Sequence, residues 1–397
     1  MKLLVHDFSG HPFQVQLSRE LARRGHDVVH SSCDAYVSGK GALVAEPGES
    51  IVFETIGDGL VFDKLRFAKR LLVEVRLGFE LVRHVRSHRP DVAVLSNVQI
   101  PTLTIFAFAM LFVRIPWVLW HQDVYAVAVR SFAGDKLSRG FTAVASVFEI
   151  AEKWCSRRAV AVVAISDAFV PVHEKWGTAD KVTVIPNWAP LDEIVPVERK
   201  NDWSVEQGVE ETLTLLYSGT LGLKHDPSLL VALTRQVRDA GVDAELVVVN
   251  EGPAVEVIRD EAQRLDVPVK LLPYQPYERL PEVLGSGDVL LVLLDQRAGA
   301  FSVPSKTLSY LCAGRPILGL MPLENAASSL VERAGGAVFV PQAESIPAAG
   351  AWVAEILADQ SRRTQVGVAS RDLAEAEFTA ERCIDRFETL LSGIADR

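Results

Sequence analysis

Short runs of apolar residues alternate along the chain with longer stretches in which apolar residues recur every three or four positions. The short runs predict buried β-strands, among them residues 3–6, 28–30, 91–95, 117–121, 160–165, 182–185, 213–217, 245–249, 269–272 and 289–294. The periodic stretches predict amphipathic helices, among them residues 12–24, 65–82, 148–158 and 379–394. This alternation is typical of α/β folds, in which helices cover both faces of parallel sheets.

The pattern is interrupted once, between residues 191 and 209, where prolines, charged residues and a glycine replace the apolar periodicity. Such composition predicts a linker. A length of 397 residues also favours two domains over one. We therefore predict a first domain over residues 1–190, a second over 191–375, and a C-terminal helical segment, 376–397, that packs against the rest.

The amino-acid composition disfavours several classes of protein. The chain is 49% apolar and 23% charged, as folded proteins are, and its net charge of −10 disfavours a nucleic-acid binder. The four cysteines form no CxxC pair, which predicts neither a zinc site nor a disulfide framework. The first apolar run meets an acidic residue at Asp7, so we expect a strand rather than a signal peptide, and a cytoplasmic protein.

One predicted helix departs from the acidic average. Residues 64–89 hold eight lysines and arginines against Glu74 and Glu80. Lys69, Arg76 and Arg83 recur every seven residues and therefore share one helix face. Such a face is either a solvated surface or a docking site for an anionic membrane surface.

Ligands of doubly wound sheets bind at the carboxyl ends of strands, so residues that follow the predicted strands are candidates for chemistry. In the first half, Gly10 would let the backbone approach a ligand, unless it only forms a tight turn. His121 and Asp123 follow another strand, where an imidazole and a carboxylate can accept a proton or bind sugar hydroxyls. The alternative for His121 is a structural role.

The second half offers two further junctions. Residues 217–225 contain two glycines, which would expose backbone amides to a ligand, and Lys224, which could hold a phosphate. The spacing of a P-loop is absent. Pro304 and Ser305 open a helix whose first backbone amides are expected to be free; such a helix end attracts anions, and Lys306 adds charge. The alternatives are a solvated lysine and an ordinary capped helix.

Several motifs are missing from the sequence. It contains no Asp-x-Asp pair of the kind that holds a divalent metal in metal-dependent sugar transferases, so we predict no metal site. It also lacks GxSxG, HExxH and GxGxxG. Hydrolase and dehydrogenase functions are therefore disfavoured.

Taken in order, the junction motifs resemble those of a known family. The set comprises the Gly10 loop, residues 24–28, 121–123, 165–167, 185–187, 218–222, 250–253, and 304–306 through 314–316. Together they resemble the retaining GT-B glycosyltransferases of family 4. Within that family they are most similar to the transferases of exopolysaccharide and colanic-acid-type assembly. The resemblance spans nearly the whole chain.

The resemblance implies an α/β GT-B fold, with two Rossmann-like βαβ domains that face each other across an interdomain cleft. The second domain would hold a nucleoside diphosphate sugar, the first would hold the acceptor, the last helix would cross back to the first domain, and neither a metal nor a cofactor would be needed. His121 and Lys224 would be catalytic, and His11 and Asp123 would bind the acceptor. The donor would be bound by Gly10, Gly219, Thr220, Lys224, Tyr274, Pro304, Ser305, Lys306 and Ser309.

The chain departs from the family pattern at three positions. Thr220 stands where the family usually has an arginine, and Lys306 would supply the missing charge. Phe301 and Ser309 stand where the family usually has two glutamates. Ser309 can still bond a ribose hydroxyl, though more weakly than a carboxylate would.

The predicted function is metal-independent transfer of a sugar, with retention, from a nucleoside diphosphate sugar to a saccharide or lipid-linked acceptor. UDP is favoured over GDP, and a peripheral position on the inner face of the cell membrane would suit a lipid-linked acceptor. Two alternatives remain: a nucleotide-sugar epimerase of the same fold, and an inactive subunit that binds a nucleotide or polysaccharide.

Overall fold

Backbone contacts divide the chain into two units, each built around one parallel sheet. The first unit comprises Met1–Asn187 together with Glu381–Arg397, and the second comprises Trp188–Ala380. The structure is a computed structural model that describes residues 1–8, 12–34, 43–45, 48–60, 67–126, 139–221, 225–296 and 304–396. The predicted domain limits at residues 190 and 375 differ slightly from this division.

In the first unit, every described strand is parallel to its neighbours, in the order β3-β2-β1-β4-β5-β6-β7. The strands are β1 Lys2–Asp7, β2 Asp27–Cys33, β3 Ile51–Ile56, β4 Val92–Ser96, β5 Trp117–His121, β6 Ala161–Ala164 and β7 Val182–Val184. The helices are α1 Pro12–Arg23, α2 Phe67–His88, α3 Ile100–Val113, α4 Arg139–Arg158 and α5 Val170–Trp176. The edge strand β3 has no counterpart among the predicted elements, because its exposed residues interrupt the apolar run.

The second unit repeats this plan with strand order β10-β9-β8-β11-β12-β13, again parallel throughout. Its strands are β8 Leu213–Ser218, β9 Ala244–Val249, β10 Val269–Leu272, β11 Val289–Leu293, β12 Ile317–Leu320 and β13 Ala337–Phe339. Its helices are α6 Asp202–Glu206, α7 Ser228–Asp239, α8 Ala254–Leu265, α9 Leu280–Gly285, α10 Lys306–Cys312, α11 Ala326–Arg333, α12 Ile346–Ala358 and α13 Gln360–Glu377.

The strand order reverses between β1 and β4 in the first sheet and between β8 and β11 in the second. Central strands such as β4 and β11 are buried along their whole length, because helices cover both faces. Only the strand ends can therefore present polar groups to a ligand, and the reversal point is where such sheets bind one.

The predicted linker is part of the second unit. Within residues 191–209, Asn201 caps the short helix α6 and Trp203 is fully buried. Arg199 binds the Asp288 carboxylate at 2.9 Å and donates to backbone carbonyls, including that of Val209. The polar composition that predicted a linker instead supplies these partly buried hydrogen bonds.

The last helix, α14 Ala380–Ala395, packs on the first unit. Phe387 is fully buried, and its ring centroid lies 4.6 Å from that of Trp120 in β5. At the rim, Glu388 pairs with Arg24 and His26, each at 2.7 Å. One buried aromatic contact and a polar rim thus attach the C-terminus to the first sheet.

Truncation of Phe387 tests this attachment. We expect Phe387→Ala to lower the free energy of unfolding of the first unit by about 3–5 kcal/mol, because it leaves a cavity beside Trp120. Denaturant titration followed by circular dichroism measures the change. The control Glu381→Ala alters an exposed residue of the same helix and should cost less than about 0.5 kcal/mol. Equal effects of the two variants would contradict the assigned packing.

Candidate functional site

The end of β8 is joined to α10 by a buried tyrosine. The Tyr310 hydroxyl donates to the Ser218 carbonyl at 3.0 Å and accepts the Ser218 N–H at 2.9 Å. It therefore occupies both backbone groups at the last residue of the strand, and burial raises its pKa. This double contact fixes the first turns of α10 beside the carboxyl end of β8.

Lys306, one turn before Tyr310, places its ammonium at this strand end. Its Nζ lies 3.8 Å from the centroid of the Tyr217 ring and donates to the Tyr217 hydroxyl. That hydroxyl gives its own proton to the Thr220 carbonyl at 3.0 Å, so it is available as an acceptor. Burial lowers the pKa of Lys306 to about 7. No carboxylate in the described part of the chain pairs with this cation.

Gly219 leaves room for the lysine. Its φ is +130°, and a Cβ at this position would lie 3.0 Å from the Lys306 Nζ. The Gly219 N–H donates to the Val249 carbonyl at 3.0 Å, and its carbonyl accepts from the Asn250 side chain at 2.8 Å. Its amide is therefore engaged within the sheet, and is not free for a ligand as the resemblance implied.

Other predicted donor residues lie around the same edge. The Thr220 hydroxyl is 3.0 Å from that of Tyr274, and both side chains are exposed. Ser305 is exposed and Ser309 is half-buried on α10. The structure thus brings Gly219, Thr220 and Lys306 together with Tyr274, from three separate segments of the second unit.

The opening of α10 differs from the prediction. The Thr307 N–H donates to the Pro304 carbonyl at 3.0 Å, and the Leu308 N–H donates to the Ser305 carbonyl at 3.1 Å. The Thr307 and Leu308 amides are therefore already hydrogen-bonded, and the charged group at this helix end is the Lys306 side chain. The predicted residues Gly10, His11 and Lys224, and Phe301 at one glutamate position, lie outside the described residues.

In the first unit, His121 ends β5 in a buried hydrogen-bond network. Its Nε2 lies 3.0 Å from the Glu152 carboxylate, and its Nδ1 lies 3.2 Å from Nε2 of His173. Glu152 also accepts the backbone N–H groups of Tyr125 at 3.0 Å and Ala126 at 2.7 Å. The carboxylate thereby holds the loop that follows β5.

His173 extends this network away from Glu152. Burial, with the neighbouring His121, lowers the pKa of His173 to about 3, so this imidazole is neutral. Its Nδ1 lies 2.9 Å from the Thr178 hydroxyl, which donates to the His173 carbonyl at 3.3 Å. Both His121 nitrogens are occupied, which favours a positioning role over that of a base on substrate.

The loop after His121 carries the predicted acceptor residue Asp123, which is half-buried. Beside it, Gln122 and Asn187 exchange two amide hydrogen bonds of 3.0 and 2.8 Å. At the reversal point of the first sheet, Asn97 has a φ of +56° and donates to the buried Asp7 carboxylate at 2.9 Å. The loop is thus rigidly held near polar groups.

Among the described residues, one group of three side chains has the spacing of metal ligands. Glu54 on β3 lies 3.1 Å from Nε2 of His88 and 3.5 Å from Nδ1 of His84, both on α2. The group contains none of the residues predicted to bind donor or acceptor. Independence from metal stays a prediction.

Comparison with known proteins gives the context for these sites. Residues 11–188 match the family described as glycosyl transferase 4-like domain. The Escherichia coli (strain K12) protein WcaI, named as a glycosyl transferase of colanic acid biosynthesis, is 25% identical over 224 residues, 55% of this chain and 54% of that protein. The chain thus spans about half the length of this relative. These matches confirm the resemblance to family 4 glycosyltransferases.

The fold of nearly the whole chain also matches that of solved structures. Sucrose-phosphate synthase from Thermosynechococcus elongatus superposes with a TM-score of 0.77 at 14% identity, covering 99% of each chain. Anabaena Alr3699/HepE in complex with UDP and glucose superposes with a TM-score of 0.74 at 16% identity, covering 99% of this chain and 100% of that one. The predicted α/β GT-B fold is therefore confirmed. No described helix is long and apolar enough to span a membrane.

Removal of the buried lysine charge should change how stability depends on pH. The pKa of Lys306 is about 7 in the folded chain and ordinarily 10.5. The unfolded chain therefore binds the extra proton between these values, and the wild-type free energy of unfolding should rise with pH across that window. We expect Lys306→Met to be more stable than wild type by on the order of 2 kcal/mol at pH 6. The two should converge near pH 10.

Denaturant titrations at pH 6, 8 and 10 measure this difference. The matched control is Lys200→Met, in the same unit, because Lys200 is exposed and pairs at 2.6 Å with the exposed Glu211. Its difference from wild type should stay nearly constant from pH 6 to 8. A difference for Lys306→Met that does not shrink with rising pH would contradict the buried, unneutralised ammonium.

The network around His121 is tested by Glu152→Gln. An amide group in place of the carboxylate turns an NH₂ towards donors, so we expect a loss of about 2–3 kcal/mol in the free energy of unfolding. The control is Glu149→Gln, which alters the ion pair with the exposed Lys175 and should cost less than about 1 kcal/mol. Urea titration compares the two, and similar losses would argue against the network.

Proposed function

We propose that this chain is a GT-B glycosyltransferase that moves a sugar from a nucleoside diphosphate sugar to a saccharide or lipid-linked acceptor. The observation that carries the proposal is the ammonium of Lys306, which stands without a described counter-ion at the carboxyl end of β8. A cation held there attracts an anionic ligand, and the reversal point of such a sheet is where ligands bind. The match of residues 11–188 to the glycosyl transferase 4-like family supports glycosyl transfer as the type of reaction.

In this proposal, the donor diphosphate binds at Lys306 and Lys224. Lysine serves as a point charge for phosphate, and an anion beside Lys306 restores the pKa that burial lowers. Gly10, Pro304, Ser305 and Ser309 complete the predicted donor site, with Ser309 towards the ribose. Thr220 and Tyr274 then border the nucleotide. UDP is the proposed nucleotide, as in the Anabaena HepE complexes with UDP and UDP-glucose.

We assign transfer with retention and without a metal. The acceptor hydroxyl attacks the anomeric carbon from the side of the leaving group, and the departing phosphate oxygen takes the hydroxyl proton. Negative charge grows on the diphosphate as the bond to the sugar breaks, so lysines already in place stabilise the transition state more than the ground state. In this scheme these cations take the part that a metal plays in the enzymes with paired aspartates.

The first unit would then bind the acceptor. Glu152 and His121 hold the loop that carries Asp123, whose carboxylate is suited to accept hydrogen bonds from sugar hydroxyls. His11 completes the predicted acceptor site. His121 contributes by fixing this loop, since its ring nitrogens are both engaged.

A lipid-linked acceptor would place the protein peripherally on the inner face of the cell membrane. Lys69, Arg76 and Arg83, which share one face of α2 by their seven-residue spacing, are all exposed. Arg76 shares its charge with Glu80 at 3.0 Å, whereas no described carboxylate pairs with Lys69 or Arg83. These cations support attraction to anionic lipid headgroups.

Incubation with a panel of nucleotide sugars tests the function. We expect nucleoside diphosphate to be released, fastest with one UDP-sugar, and Lys224→Ala to lower turnover by about 100-fold or more, because it removes a charge from the leaving group. The control Lys200→Ala removes an exposed lysine and should leave turnover unchanged.

Two other results would contradict transfer. An altered sugar on an intact nucleotide identifies an epimerase, and binding of UDP without release from any donor identifies an inactive subunit. Unchanged turnover in Lys224→Ala would remove that lysine from the donor site.

A further inference from the structure

Three neighbouring helices of the first unit expose large apolar side chains to solvent. Leu72 and Phe79 lie on α2, Phe108 and Phe112 on α3, and Val147 and Ile150 on α4. Each of these six residues, here named the helical face, is 57–74% exposed. Scattered exposed apolar residues are ordinary, but pairs on adjoining helices indicate a surface that another body covers.

The three helices form one layer. The Thr102 hydroxyl of α3 donates to the Glu74 carbonyl of α2 at 2.7 Å, and a Cβ at Gly78 would lie 2.9 Å from Cβ of Ile105. On its other side, α3 contacts α4, with Oγ1 of Thr104 3.7 Å from Sγ of Cys155. The inner sides of all three helices contribute to one core cluster. Their outer sides therefore belong to the same side of the sheet.

The central helix is unusual for a solvent-facing helix. Ile100–Val113 contains no charged residue and is apolar around its whole circumference, although only part of it is buried. At 14 residues it is too short to cross a bilayer, which takes about 20. Phe108 and Phe112 stand one turn apart on its outer side, with ring centroids 5.6 Å apart. A helix that is apolar all round is ordinarily covered on every side, so the exposed outer side of this helix indicates a surface that an apolar phase covers.

The charges next to the apolar residues identify the occupant. The exposed stripe of α2 reads Lys69, Leu72, Arg76, Phe79, Arg83 and Arg86, at alternating spacings of three and four residues. Cations and apolar side chains thus share one helix face within a chain of net charge −10. A lipid interface satisfies both kinds of group, because phosphates lie directly above acyl chains. A second copy of the chain would bring these cations against each other.

We propose that the helical face enters the headgroup and upper acyl region of an anionic bilayer, with α2, α3 and α4 lying against the membrane plane. This inference rests on the proposed membrane partner and adds apolar insertion to charge attraction. The phenylalanines supply binding that salt does not screen, while Lys69, Arg83 and Arg86 select anionic lipid.

Vesicle flotation distinguishes insertion from attraction by charge alone. With vesicles of three parts phosphatidylcholine to one part phosphatidylglycerol, we expect wild type to bind at 0.1 M NaCl and to retain a measurable bound fraction at 0.5 M. Phe108→Ser with Phe112→Ser should weaken the partition coefficient by at least about tenfold, from lost apolar burial. The control Val257→Ser with Val368→Ser alters exposed apolar residues of the second unit and should bind like wild type.

A fluorescent label reports insertion directly. The four native cysteines are buried, so Phe112→Cys can carry an environment-sensitive nitrobenzoxadiazole dye at an exposed site. We expect its emission to shift to the blue on vesicles and not in buffer, while the same dye on Val368→Cys stays unchanged. The label also tests the inference if the double serine variant fails to fold.

The inference is overturned if 0.5 M NaCl abolishes the binding of wild type to vesicles and the double serine variant binds as well as wild type at 0.1 M NaCl. It is also overturned by a dye that shifts only with protein concentration, which would identify a second copy as the occupant. Release of nucleoside diphosphate by the serine variant with a water-soluble acceptor is measured in parallel. Loss of vesicle binding by the serine variant with normal release supports the inference, whereas absence of release from wild type would count against the proposed transfer and leave the vesicle result standing.

Discussion

A parallel sheet covered on both faces hides its backbone and side chains everywhere except at the strand ends, and both units of this protein are built on that constraint. The fully buried strands β4 and β11 carry no polar side chain apart from Ser96 at the last position of β4. Chemistry therefore concentrates where β5 and β8 stop. The helices that follow serve as supports, because each must pack on the sheet at a fixed place.

The end of β8 illustrates how such a support works. Tyr310 takes over the hydrogen bonds that another strand would make to Ser218, and this contact sets the position of α10. Lys306, one turn earlier, is then forced into the space that Gly219 leaves open. The Lys306 ammonium is removed from water and no described carboxylate compensates it, which destabilises the protein when no ligand is bound. The same arrangement favours any anion that reaches the site.

The sequence anticipates features that are local. Continuous apolar runs identify most strands, and helical spacing identifies α14, because burial on both faces or on one side leaves a direct trace in composition. Lys306 and Gly219 were identifiable for the same reason, since each follows a turn signal. Other residues could not be identified from the sequence, because their roles depend on partners that are distant in the chain. These are Tyr217, Tyr310, Glu152 and His173. The polar segment 191–209 predicted a linker, whereas tertiary contacts bury Trp203 and hold the half-buried Arg199 guanidinium.

The two strand ends differ in what remains unsatisfied, and this difference indicates what each can bind. At β5, the Glu152 charge is matched by backbone amides and an imidazole, so the network closes on itself and leaves a rigid loop. At β8, one ammonium remains without a described counter-charge. The first strand end suits a neutral, hydroxyl-bearing ligand and the second suits an anionic one. This division of charge matches the proposed roles of the two units, with the sugar acceptor at the first and the nucleoside diphosphate donor at the second.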